Sequence, residues 1–308
     1  MIRKLFNRFF ARKQATEKAP RPQTQEITKP LSAEGVAALL PGQMDKPIEV
    51  RPPQLLAASA QSTGRQRDHN EDALFALTAL LASNGEHAPF GIYIVADGMG
   101  GHQYGEIASE TAVRVMSDYL IEHLYRPLFR IEQQPPDMSL RDILENGVQT
   151  AHEAILVNAP GGGTTITTAV ILNNQLAIAH VGDSRVYHIS LTGAMRPLTR
   201  DHSLVKRLEE LGQLTPEEAA THPQRNVLYR ALGQGEPFDP EIIISPIPSP
   251  GYLLICSDGL WGVIPENTIL QIINTSPTLH AACQRMVDAA NEAGGPDNIT
   301  AILVRLPE

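Results

Sequence analysis

The 308-residue chain has only two cysteines, Cys256 and Cys283, both in apolar surroundings, which excludes a disulfide framework and a cysteine-rich zinc site. Both thiols read as core filler. Basic residues are also in deficit, 25 against 34 acidic for a net charge of −9, so there is little of the clustered positive charge that nucleic-acid phosphates require, and no nucleic-acid partner is expected. Long apolar runs are missing too. The stretch 252–256 is among the longest, far short of the roughly 20 residues of a membrane span, and the chain is expected to be soluble and cytoplasmic. No continuous apolar segment follows the first charges, which argues against a secretory signal, while composition alone leaves a transit peptide open. Enough chain remains for one or two domains of about 150 residues.

What is present is unevenly distributed. Residues 1–55 hold 10 basic and 5 acidic residues, a net of +5, which leaves −14 for the remainder. The same segment carries seven prolines and no aromatic residue after Phe10, the composition of a tail that buries too little surface to offset its ordering entropy. The folded unit is expected to begin at about residue 56. Within the tail, Ile2, Leu5, Phe6, Phe9 and Phe10 fall on one helical stripe, with Arg3, Lys4 and Arg8 off it and Arg12 and Lys13 extending the charge. Residues 2–13 therefore fit a basic amphipathic helix, lying peripherally on the anionic inner membrane surface or docking to an acidic partner. A basic terminus without structure fits the same residues equally well.

From residue 56 onward, strands and helices come in blocks. Residues 91–96 read as a short buried strand, and apolar residues then recur at helical spacing through 107–120 and again through 140–155. Strands at 164–172 and 175–181 flank Asn173-Asn174, a pair that tolerates the positive φ of a tight hairpin. Residues 201–235 form a polar insert in which Thr215-Pro216-Glu217-Glu218 offers a capping box with proline at the first helical position. Strands at 241–245 and 251–256, helices at 266–274 and 278–292 and a last strand at 298–305 close the chain. Strands in consecutive blocks predict an α+β layered sandwich rather than repeated βαβ units.

The chemistry-bearing residues share one kind of position, where an apolar strand meets a glycine-containing turn. Asp97-Gly98 follows 92–96, Gly182-Asp183 follows 179–181, and Asp258-Gly259 follows 253–257. A single Asp-Gly is ordinarily a turn. Several carboxylates converging at strand mouths, joined by Glu71-Asp72 and Asp297-Asn298, would repel one another without a cation between them. Oxygen-only ligands favour Mg²⁺ or Mn²⁺ over zinc.

Six motifs occur in order: Arg67-Asp68-His69-Asn70-Glu71-Asp72, Asp97-Gly98-Met99-Gly100-Gly101-His102, Gly163-Thr164-Thr165, Gly182-Asp183-Ser184-Arg185, Ser257-Asp258-Gly259 and Gly295-Pro296-Asp297-Asn298. Each is weak alone; together they resemble the bacterial PPM family (protein phosphatase type 2C) of metal-dependent Ser/Thr protein phosphatases, from about residue 56 to 306. The resemblance implies a four-layer α/β/β/α sandwich, two antiparallel sheets flanked by helix pairs, with the metals at one end. It further implies two core Mn²⁺ or Mg²⁺ ions and a weaker third. Asp97 resembles the carboxylate bridging both core ions, and the Gly98 carbonyl would bind one of them. Asp258 and Asp297 would serve the first and Glu71 the second, and Asp183 with Asp258 the third. Arg67 resembles the phosphate-binding arginine, and Asp72 and Asn298 would support. A metal-activated water would then attack phosphorus in line. The implied partners are phosphorylated proteins and a cognate Ser/Thr kinase in bacterial signalling.

Met99 stands where many eukaryotic members of that family have a catalytic histidine, a feature shared by bacterial members. The leaving-group proton donor is then a metal-bound water or His102, which reads equally as a helix-start histidine. His180, inside an apolar strand, reads as packed. Gly161-Gly162-Gly163 lacks the ending of a nucleotide P-loop and reads as a turn into a strand. The insert at 201–235 corresponds by position to the flap bordering the active site, where Lys206, Arg207, Arg225 and Arg230 either meet phosphoprotein acids or form a solvated face. Two other functions fit the sequence less well: a pseudophosphatase interaction module, against which the intact acids argue, and a hydrolase of small phosphate esters.

Overall fold

The computed structural model describes residues 54–307 apart from 84–85, 101–102, 131–136, 236–237 and 249. Two antiparallel sheets form the centre. One contains β1 (Leu56–Ser62), β7 (Arg185–Ser190), β8 (Met195–Pro197), β10 (Gly251–Cys256) and β11 (Ile299–Arg305), in the order β1-β11-β10-β7-β8. The other contains β2 (Asp72–Ser83), β3 (Glu86–Met99), β5 (Ile166–Leu172), β6 (Gln175–Val181) and β9 (Glu241–Pro246), in the order β2-β3-β5-β6-β9, with β4 (Gly163–Thr164) on the end of β3. Asn173 turns the β5–β6 hairpin at φ 55°.

Side chains alternate across each strand, so a strand buried on both faces must be apolar throughout. In β3, Phe90, Ile92, Ile94 and Ala96 face a core under helices α1 (Gln103–Leu120) and α3 (Leu140–Asn158), while Tyr93 and Val95 enter the core between the sheets with Val186, Leu253, Ile255 and Ile302. A short helix α2 (Arg126–Phe129) follows α1 through a single wider turn at Ile121–Tyr125. Helices α6 (Asp258–Trp261), α7 (Glu266–Thr275) and α8 (Leu279–Glu292) cover the outer face of the other sheet around Leu254, Cys256, Cys283 and Met286. The result is the expected α/β/β/α sandwich. The insert folds as α4 (Leu204–Glu210) and α5 (Pro216–Thr221), and Thr215 and Glu218 cap α5 reciprocally.

The expectation of a short strand at 91–96 is corrected. β3 runs from Glu86 to Met99, because its first part pairs with β2 and its last two residues, Gly98 and Met99, pair with Thr164 and Gly163. His180 is packed as expected: fully buried, with Nδ1 2.9 Å from Thr167 Oγ1 and Nε2 3.0 Å from the Arg200 carbonyl. Both cysteines are buried and free, and burial pushes their thiols up to about 12 for Cys256 and about 11 for Cys283, which leaves them unreactive. The basic stripe at 2–13 and His102 lie outside the described residues. Among the described residues no helix is long and apolar enough to cross a membrane.

Candidate active site

Antiparallel order decides where the acids meet. The starts of β2, β7 and β11 and the ends of β3, β6 and β10 all fall at one end of the sandwich, and the acids flank those termini. Asp72 opens β2 directly across from Asp97 near the end of β3. Asp183 lies between β6 and β7, Asp258 begins α6 after β10, and Asp297 precedes β11. The cavity at that end, about 470 Å³, is lined by Arg67, His69, Glu71, Asp97, Gly98, Met99, Asp183, Asp258 and Asp297, with Asn226 and Leu228 contributed by the insert.

Asp72 is absent from that lining and turns inward. Its Oδ2 accepts from Ser257 Oγ at 2.8 Å and Thr300 Oγ1 at 2.6 Å, tying the β2 side of the sandwich to β10 and β11 beneath the acids. Asn298 joins the loops above: its Nδ2 donates to the Thr63 and His69 carbonyls at 2.8 and 3.0 Å, and its Oδ1 accepts the Glu71 N–H at 2.7 Å. Gly98 has room for no side chain, since a Cβ there would stand 2.3 Å from the Gly105 carbonyl and 2.6 Å from that of Glu71. This close approach seats Glu71 against the end of β3 and the start of α1, with Ser109 Oγ donating to the Glu71 carbonyl at 2.5 Å.

The electrostatics are those of a cluster short of positive charge. Burial, and then the neighbouring carboxylates, push Asp97 and Asp183 well above the usual carboxylate range, and burial followed by Asp297 pushes Asp258 up as well. Glu71 Oε1, Asp72 Oδ1 and Asp258 Oδ1 are buried without a hydrogen-bond partner among the described residues. Arg67 reaches the rim, its Nη2 2.8 Å from Asp297 Oδ2, and one guanidinium does not balance five lining carboxylates besides Asp68. Orphaned buried oxygens and an all-oxygen donor set fit hard divalent cations. Among the described residues no three His, Cys, Asp or Glu side chains close onto one point as a ready-made cage; the acids ring the cavity, the spread expected of like charges that face one another.

A family model described as "Protein phosphatase 2C" matches residues 61–304. The chain belongs to the protein phosphatase 2C family. The phosphatase is 38% identical over 247 residues to the serine/threonine phosphatase stp of Listeria innocua, a match covering 78% of this chain and 92% of that one. It superposes on the serine/threonine phosphatase Stp1 of Staphylococcus aureus with a TM-score of 0.68 at 29% identity, covering 84% of this chain and 99% of that one. The catalytic domain of the serine/threonine protein phosphatase PstP, in complex with two manganese ions, matches at a TM-score of 0.65 and 28% identity, covering 82% and 99%. The molecule is a bacterial-type protein-serine/threonine phosphatase.

Several contacts that shape the phosphatase site carry no local sequence signal, although Arg185 itself stands in the Gly182-Asp183-Ser184-Arg185 motif. Arg185 grips Asp201 at the base of the insert through two bonds, 2.9 Å from Nε to Oδ1 and 2.7 Å from Nη2 to Oδ2, and lies 3.4 Å over the Trp261 ring. Trp261 Nε1 donates to the Asp183 carbonyl at 3.0 Å. Of the insert cations, Lys206 is taken by Glu209 at 3.1 Å and Arg207 stands 3.6 Å from Glu210, so two of the four face acids of the insert itself.

Proposed function

We propose that the phosphatase hydrolyses phosphoserine and phosphothreonine in proteins with two core Mn²⁺ or Mg²⁺ ions and a weaker third. The observation that carries this reading is the ring of buried, mutually repelling carboxylates with orphaned oxygens, beside one guanidinium, in a single cavity. In this assignment Asp258 and Asp297 would hold the first core ion and Glu71 the second, Asp97 would serve both, and the Gly98 carbonyl would bind one of them. Asp183 with Asp258 would take the third. When bound, such ions supply a water of lowered pKa and neutralise phosphoryl charge. Arg67 would orient the phosphoryl group with parallel N–H donors, and Asp72 and Asn298 hold their strand ends and loops in register. The test is hydrolysis of a phosphothreonine peptide during a Mn²⁺ titration, with an EDTA-treated sample as zero and a phosphosugar in parallel. Turnover of the peptide that rises from nothing supports the reading; a silent, folded protein favours a pseudophosphatase, and preference for the sugar favours a small-ester hydrolase.

Arg67→Ala is expected to raise KM for the phosphopeptide about 10- to 100-fold, the worth of charge-assisted hydrogen bonds, with a smaller effect on kcat. Steady-state kinetics at saturating Mn²⁺ separates the two, and an unchanged KM would remove Arg67 from phosphate binding.

The proposed partners are phosphoproteins and an opposing Ser/Thr kinase. We assign residues 56–308 to the phosphatase domain and residues 1–55 to a basic tail whose segment 2–13 meets an anionic membrane surface or an acidic partner. Deleting residues 2–50 is expected to leave turnover of a small aryl phosphate within about twofold of the full chain and to weaken sedimentation with anionic vesicles; loss of fold on deletion would show that the boundary is misplaced.

A further inference from the structure

A second cavity, about 460 Å³, lies beside the first, lined by Arg200, His202, Arg207, Tyr229, Arg230 and Glu241. The two share a wall. Asn226 and Leu228 face the acidic cavity while Tyr229 and Arg230 face this one, and the wall is held by bonds from Leu204 N–H to the Val227 carbonyl at 2.8 Å and from Tyr229 N–H to the His202 carbonyl at 2.9 Å. His202 is itself tied to the catalytic end. Its N–H donates to the Gly182 carbonyl at 2.7 Å and its Nδ1 accepts the Gly182 N–H at 3.1 Å, one residue before Asp183.

That last bond decides what the ring offers. With Nδ1 accepting, the ring proton sits on Nε2, and the ring lines the cavity although His202 is only 2% exposed. Burial foremost, with His180 and Arg230 adding, keeps the ring neutral. An N–H on the lining can donate to an acceptor that enters the cavity. Around it, Arg200 is bonded to Glu210 and Arg207 stands 3.6 Å from the same carboxylate, so both guanidiniums are held in place. Arg230 lies 5.7 Å over the Tyr229 ring and forms no ion pair among the described residues. Three guanidiniums face the lining carboxylate of Glu241 and that of Glu210, which Arg200 and Arg207 share, so one positive charge is in excess and falls to Arg230; with the His202 N–H these donors suit an oxyanion with several acceptor oxygens.

We propose that this cavity binds a second phosphoryl group beside the scissile one, through Arg200, Arg207, Arg230 and the Nε2–H of His202. The inference rests on the phosphatase reading above and narrows its substrate class to phosphoproteins that carry a neighbouring phosphoryl group. Free phosphate has the same chemistry, so the test separates the two sources.

The full-length protein with Mn²⁺ is given two peptides of one sequence bearing one or two phosphorylated residues. Wild-type kcat/KM is expected to favour the doubly phosphorylated peptide about tenfold. Arg230→Gln should bring that ratio close to one, Arg230→Lys should restore part of it, and Arg225→Gln, outside the cavity lining, should leave it in place. Inorganic phosphate that erases the preference without inhibiting the singly phosphorylated peptide supports an oxyanion site that free phosphate also fills; a preference that resists phosphate assigns the site to substrate-borne groups. Equal use of the two peptides by the wild type, or a preference that survives Arg230→Gln, overturns the proposal. Binding of the same peptides to EDTA-treated protein reads the cavity without turnover, so a protein that fails to hydrolyse either peptide discredits the activity while the second site is still judged by its affinity ratio.

Discussion

Asp97→Asn is expected to cost the enzyme about a thousandfold or more in kcat while raising the melting temperature of the metal-free protein. The two effects share one cause. Asp97 sits among Asp72, Asp183, Asp258 and Asp297, and burial together with those neighbours pushes its carboxyl well above the ordinary range, so its charge opposes folding when no cation is present. An amide of the same size removes the charge and keeps the hydrogen-bonding capacity, which relieves the repulsion; a gain of about 1 kcal/mol corresponds to roughly 2–4 °C in a domain of this size. The same exchange deletes the ligand assigned to both core ions. Losing about 4 kcal/mol of electrostatic stabilisation in the transition state is a thousandfold in rate. Melting curves in EDTA and in Mn²⁺ should therefore cross over: the variant is the more stable without metal and the less stable with it. A variant that keeps a tenth of the activity, or melts lower in EDTA, would contradict the assignment of Asp97.

The acids were legible because each stands where an apolar run stops beside a glycine, a pattern visible within a few residues. The hairpin at Asn173 and the capping box at Thr215 were legible for the same local reason. β2 was not: residues 73–82 are mostly alanine and leucine, good helix formers, and their strand conformation comes from pairing along β3. β3 itself looked shorter than it is because its first residues are held by pairing with β2 and its last two by pairing with β4 rather than by a continuous apolar run. The contacts beneath and beside the site were beyond the sequence altogether. Ser257 and Thr300 meet Asp72 across 185 and 228 residues, and Trp261 reaches the Asp183 carbonyl across 78. No periodicity links positions so far apart; only the closing of two sheets brings them together.

Metal removal should make stability fall as pH rises, and metal addition should reverse this. In the metal-free fold the carboxyls of Asp97, Asp183 and Asp258 sit above the usual value near 4. Between that value and their raised folded values the native state holds protons that the unfolded chain has released. By linkage, their contribution to stability is fully present below about pH 4 and is lost as pH rises toward neutrality. Each pH unit over which the native state holds one extra proton costs about 1.4 kcal/mol, roughly 3–6 °C here. Buried His180 and His202 act in the opposite sense, because burial lowers them to about 4 and about 3, so each destabilises the fold as pH falls below about 6.5. Neither histidine is among the proposed ligands, and their effect is common to samples with and without metal. The difference between melting temperatures in Mn²⁺ and in EDTA therefore isolates the carboxylates: it is expected to be small at pH 5 and to widen by several degrees by pH 8. Calorimetric titration of Mn²⁺ in buffers of different ionisation enthalpy should register proton release over the same range. A difference that stays flat with pH, with no protons released, would mean that the ions displace none of the protons these acids hold, and the proposed ligand set would fall with it.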